Sequence, residues 1–147
     1  MADIAGLFRA AIRHLPMEAL AEARLIQDHG IEGCMHARPG GKRQVLLVDS
    51  ETLDAMGLQP GILRENITTA GLNVNGLAPG EVLRMGEALL EVTAVCTPCD
   101  QMEKIRPGLR KELWGRRGML CRVLQGGVVR IGDRIEKSAP QESSAAG

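Results

Sequence analysis

The sequence predicts a mainly β fold with peripheral helices, its strands closed or partly closed into a barrel. Three observations carry that prediction. From Gly30 onward, short apolar runs ("RQVLLVD", "ENITTAGL", "GEVLRMGEALLEVTAV", "GMLCRVLQGGVVRIGDRIE") alternate with turns rich in Gly, Pro and Asn. Gly126-Gly127 lies between two β-rich runs, a hairpin signal, and Pro79-Gly80 and Gly132-Asp133 mark further turns. Many short strands at this spacing suit a barrel or a sandwich, and full closure leaves no exposed sheet edge.

The elements follow in order. Residues 2–14 place Ile4, Leu7, Phe8, Ala11 and Ile12 at the spacing of an amphipathic helix, which Leu15 continues and Pro16 ends. "MEALAEARLIQDHG" (17–30) predicts a second helix stopped by Gly30, although "ARLIQ" also suits a strand. One internal helical piece is expected between Asp100 and Trp114, broken at Pro107-Gly108. The closing "KSAPQESSAAG" is small and polar, and is expected to be disordered. The chain therefore divides into a helical segment over 1–29, a β-barrel domain over 30–136 and a tail over 137–147.

Composition narrows the function. A chain of 147 residues, 44% hydrophobic and 24% charged, suits one globular domain. Its zero formal net charge argues against a general nucleic-acid binder. With only Phe8, Trp114 and no Tyr, it lacks stacking platforms for single strands or flat sugars. Only four of its 18 basic residues are Lys, and Arg grips planar anions in a way Lys does not. No run of 18 apolar residues predicts a membrane span, and the N-terminus lacks the apolar core of a signal peptide. Four cysteines without an export signal suggest reduced thiols in the cytoplasm.

Cys96-Thr97-Pro98-Cys99 carries the chemistry, in one of three ways. A redox dithiol at a helix start has the right local order, but that fold needs βαβ units around a central sheet. A zinc site needs four ligands; Cys34, His36 and Cys121 are the remaining candidates, with no second CxxC. A single active thiol at Cys99 would sit where Asp100 opens a helix. Arg106, Arg110, Arg116 and Arg117 follow it and would raise the local positive potential.

The stretch from Gly30 to Glu136 resembles the MOSC domain family, named for the C-terminal domain of molybdenum cofactor sulfurases. Four segments carry the resemblance in order: "GILRENI" (Gly61 to Ile67), "LAPGEVLRMG" (Leu77 to Gly86), Pro98-Cys99, and the closing "GGVVRIGD". The resemblance implies a MOSC-type barrel whose cysteine, here Cys99, ligates molybdenum or carries sulfur as the catalytic thiol. Arg64 and Asn66 match a segment that approaches the molybdenum cofactor (molybdopterin) in relatives, and Arg suits its phosphate. His36 and Arg43 lie in "GCMHARPGGKRQ", where relatives commonly read Gly-Asp-Arg-His and this chain has Cys34 and Met35.

The resemblance also bounds the activity. Sulfurases add a pyridoxal-phosphate domain, for which this chain leaves no room, so that cofactor is expected only on a partner domain or protein. The expected function is a stand-alone MOSC protein that binds molybdenum cofactor or carries sulfur on Cys99. A cysteine desulfurase as sulfur donor, or a molybdoenzyme, is the expected partner. Two alternatives stand beside it: a molybdenum-dependent reductase of N-hydroxylated compounds, and a non-catalytic interaction module on the same fold.

Overall fold

The computed structural model describes residues 2–12 and 15–138. Its strands are β1 (Ala2–Arg9), β2 (Glu18–Leu20), β3 (Glu22–Ile26), β4 (Gly30–Ile31), β5 (Val45–Asp49), β6 (Ile67–Ala70), β7 (Val82–Met85), β8 (Ala88–Val95), β9 (Met119–Gln125), β10 (Gly127–Arg130) and β11 (Arg134–Ser138). Three short α-helices, α1 (Ser50–Met56), α2 (Gln101–Ile105) and α3 (Leu109–Glu112), and a 3-10 turn at Val74–Gly76 join them.

Seven strands close a barrel in the order β11-β7-β8-β9-β5-β6-β1, and β1 returns to β11 through Ala2 opposite Ile135 and Asp3 opposite Arg134. All neighbours are antiparallel except β5 and β6, which α1 joins as a parallel crossover. The interior follows the two-residue period of the strands: Val45 and Leu47, Leu90 and Val92, and Met119, Cys121 and Val123 all point inward. Strand β5 is buried on both faces, which explains its unbroken apolar run "VLLV". Its outward Leu46 and Val48 join Leu53, Leu63, Met102, Leu109, Leu113 and Leu120 in a second core beneath the helices. That second core supports one wall of the cleft described below.

The expected mainly β barrel is present, and the interruption of the helical piece at Pro107-Gly108 falls between α2 and α3. The N-terminal reading is corrected. Residues 2–9 form a strand paired with β6 and β11, so the barrel begins there and not at residue 30. The cause is a bulge between Ile4 and Gly6. One extra residue, Ala5, reverses the alternation, so Ile4 and Leu7 both face the core at a spacing that mimics a helix. The second expected helix is likewise strand: β3 alternates exposed and buried, with Ala23 and Leu25 inward. Residues 13 and 14 lie outside the described residues.

Three further differences concern connections. Gly126-Gly127 does not turn a hairpin; β10 leaves the barrel and pairs with β3 in a separate sheet ordered β10-β3-β4. A side chain on Gly126 would meet the Leu25 carbonyl at 2.7 Å, so the glycine serves a close crossing. Helix α1 was not anticipated beside the piece at 100–114; Asp49 precedes it and Gly57, in left-handed geometry (φ 68), ends it. Lys137 and Ser138 belong to β11 and pair with Leu83 and Val82, while the rest of the expected tail, 139–147, lies outside the described residues.

Candidate functional site

The segment between β4 and β5 forms one wall of a cleft. It is held by Gln44, which is wholly buried. Its Nε2 donates to the Arg38 carbonyl (3.0 Å) and to Asp28 Oδ1 (3.2 Å), and its Oε1 accepts from the Val123 N–H (3.0 Å). Met35, His36, Arg38 and Arg43 project from this segment into the cleft. The opposite wall is the end of β8 and the start of α2, with Cys96, Cys99, Gln101 and Met102. Between the walls lie Leu46, Arg64, Asn66, Arg117 and Leu120, and the open cleft has a volume of about 540 Å³.

The structure thus brings Cys99, Arg64, Asn66, His36 and Arg43 around one cleft, from segments far apart in sequence. Their roles in that cleft differ. Cys99 is exposed, whereas Cys34, Cys96 and Cys121 are buried, and all four thiols are free. Cys121, inside the barrel, is pushed well above the usual thiol range by desolvation and then by the charge of Glu91. Cys99 is therefore the one cysteine whose sulfur both meets solvent and lines the cleft.

Within "RENI", only the arginine reaches out. Glu65 is wholly buried; its Oε2 accepts from the Gly61 N–H (2.8 Å) and from Thr68 Oγ1 (2.9 Å), closing the loop that precedes β6. Asn66 is equally buried and braces three segments. Its Oδ1 accepts from the Leu46 N–H (3.0 Å), and its Nδ2 donates to the Phe8 carbonyl (3.2 Å) and to Cys34 Sγ (3.4 Å). Its polar atoms are committed to the fold, so Asn66 shapes the cleft wall. Arg64 takes a left-handed conformation (φ 61), an unfavourable one for Arg, and sends its side chain along the cleft with Nη1 on the Leu15 carbonyl (2.8 Å). Truncation of Asn66 to Ala is expected to cost about 2–4 kcal/mol, because buried backbone groups lose their partners. Urea titration of the variant checks this.

Cys34 is the feature the sequence did not mark as chemically active. Its sulfur accepts from the Ala10 N–H (3.4 Å) and from Asn66 Nδ2 (3.4 Å). Burial pushes its pKa up, but the His36 side chain, the Ala10 N–H and the charge of His36 outweigh this and lower it from 9.0 to about 7. The thiolate is thus favoured in the fold. Between pH 7 and 9 the unfolded chain holds a proton there that the folded chain has released, so stability rises with pH across that window. Wild type is expected to gain on Cys34→Ser from pH 7 to 9 and to lose that gain as pH falls through 7. Thermal melts at matched ionic strength measure it.

The four arginines expected to follow Cys99 separate in space. Arg110 pairs with Asp100 (2.6 Å), Arg106 with Glu112 (3.1 Å), and Arg116 is exposed outside the cleft. Helix α2 has only five residues, so it supplies little macrodipole. Arg117 alone lines the cleft. It is 7% exposed, its Nη2 donates to the Leu63 carbonyl (2.7 Å), and its Nε and Nη1 have no partner. Among the described residues, Arg38, Arg43, Arg64 and Arg117 line the cleft with His36, no carboxylate lines it, and none of these five forms an ion pair. A neutral protein thus concentrates positive potential in one concavity. Also among these residues, no three of His, Cys, Asp and Glu come together to hold a metal by themselves, which leaves the zinc alternative without a ligand set. The dithiol alternative lacks its fold, since Cys96-Cys99 follows a barrel strand.

These features define a small β-barrel protein with a solvent-reaching cysteine and an arginine-lined cleft on the barrel's outer wall. The chain belongs to the MOSC domain family, whose model matches residues 35–136. Solved structures agree in fold. The YuaD protein of Bacillus subtilis superposes with a TM-score of 0.77 at 22% identity, covering 96% of this chain and 98% of that one. YiiM of Geobacillus stearothermophilus gives a TM-score of 0.76 at 20% identity, covering 95% and 76%. YiiM of Escherichia coli gives 0.72 at 19%, covering 95% and 71%. A search of curated proteins returned no match. No helix among the described residues is long and apolar enough to cross a membrane.

Proposed function

We propose that this chain binds molybdenum cofactor in the cleft, with the Cys99 thiolate as the protein ligand to molybdenum. The observation that carries the reading is an exposed thiol on a cleft lined by four arginines and no carboxylate. The family is associated with this cofactor, and the donor set suits it: a soft sulfur for the metal, and guanidinium groups for the phosphate. Arg117 lines the cleft with two nitrogens that have no partner, and its uncompensated charge suits an anionic group. When bound, the cofactor supplies molybdenum redox or sulfur chemistry. The chain's residues would do the rest: Cys99 would hold the metal and Arg64 the anionic arm, while Asn66 keeps β1, β5 and the Cys34 turn in register.

The same thiol supports sulfur carriage. The Cys99 thiolate would attack the outer sulfur of a partner's persulfide, forming Cys99–S–S⁻ and releasing the partner's thiolate, with no net oxidant required. Exposure of Cys99 is what favours this second reading, since a protein donor must reach the sulfur. Metal and pterin content, measured on protein purified from a host that makes the cofactor, separates the two. Molybdenum and pterin together support cofactor binding. Neither, with a persulfide mass increment on Cys99, overturns cofactor binding and establishes carriage.

A further inference from the structure

Arg116 and Arg117 are adjacent and chemically identical, yet the fold treats them in opposite ways. Arg116 is exposed, whereas Arg117 is more than nine-tenths buried, with Nε and Nη1 partnerless. Burying a charged donor without a partner is among the costlier arrangements in a protein. The next residue, Gly118, packs so closely on β5 that an added Cβ would overlap the Leu47 carbonyl. Its one bond, to the Leu63 carbonyl, holds the guanidinium in place without neutralising it.

We infer that Arg117 anchors a tetrahedral anionic group, a phosphate or a like oxyanion, on the inner wall of the cleft that also holds Cys99. Resting on the reading of the cleft as a ligand site, the inference adds the residue that fixes the anion. In the free protein the Nε–H and the Nη1 amino group are closed off from water and unpaired; an anion drawn against the guanidinium would give them acceptors and offset the burial cost. Arg64, which lines the same cleft and is tied by one nitrogen to the Leu15 carbonyl, would partly neutralise the same group. The shared chemistry has two sources: the phosphate arm of a pterin cofactor, or a free inorganic oxyanion.

The test uses inorganic phosphate against chloride at matched ionic strength, on wild type, Arg117→Gln and Arg116→Gln. At phosphate well above its Kd, the Tm of wild type and Arg116→Gln is expected to rise by about 3–6 °C, and that of Arg117→Gln to stay unchanged. An equal rise in Arg117→Gln overturns the inference. If that variant does not fold, wild type decides: equal Tm in phosphate and chloride overturns it. Pterin content separates the sources. A phosphate response that needs Arg117, in protein free of pterin, supports a free oxyanion site while the cofactor reading falls. Pterin present equally in wild type and Arg117→Gln overturns the inference and leaves the cofactor reading standing.

Discussion

Replacement of Cys99 by Ser is expected to leave the fold intact and to lower molybdenum content by at least about 100-fold, since a neutral hydroxyl is a poor substitute for a thiolate toward a soft metal. The side chain is exposed, so the change removes no packing. Cys96→Ser is expected to behave in the opposite way. Cys96 is 6% exposed and packs in the second core, with its N–H on the Gly118 carbonyl at 3.0 Å. A hydroxyl there is expected to cost about 1–2 kcal/mol of stability, yet it leaves Cys99 in place. Elemental analysis and urea titration of both variants check the pair of expectations. Equal loss of metal from both would return the site to a dithiol.

This asymmetry explains why Cys-Thr-Pro-Cys is ambiguous as a sequence. Spacing records that two thiols are near each other, and burial decides which is available. The same holds for "RENI", where Glu65 and Asn66 spend their polar atoms on backbone groups while Arg64 accepts a strained backbone and reaches the cleft. The barrel was legible because closure depends on short strands and turns, which leave composition and period signals. The first strand was not, because a single bulge at Ala5 gives two core residues a three-residue spacing that periodicity assigns to a helix. The cleft's four arginines come from three separate segments, so their convergence had no local signature. Arg117 in particular could not be told from Arg116 without their burial, since one is exposed and the other is not.

Gly118→Ala is expected to be the most damaging small substitution near the site. The added Cβ would overlap the Leu47 carbonyl, and the residue adopts φ 117, which an L side chain rarely takes. Clash and backbone strain together are expected to cost about 3 kcal/mol or more, lowering Tm by roughly 10 °C. Gly115→Ala is the matched control. Gly115 also has a left-handed φ of 80, but nothing lies within 4 Å of its added carbon, so it pays only the conformational term of about 1 kcal/mol. The difference between the two Tm values isolates the contact with β5. Equal losses would show that this contact is not what fixes Gly118. That contact matters beyond stability. Gly118 accepts the Cys96 N–H on the strand that leads to Cys99, and it precedes β9 directly after Arg117. One glycine therefore ties the start of the thiol-bearing segment to β5 immediately beside the buried arginine. Where Gly118→Ala still folds, its phosphate response should fall with that of Arg117→Gln, while Gly115→Ala keeps the wild-type response.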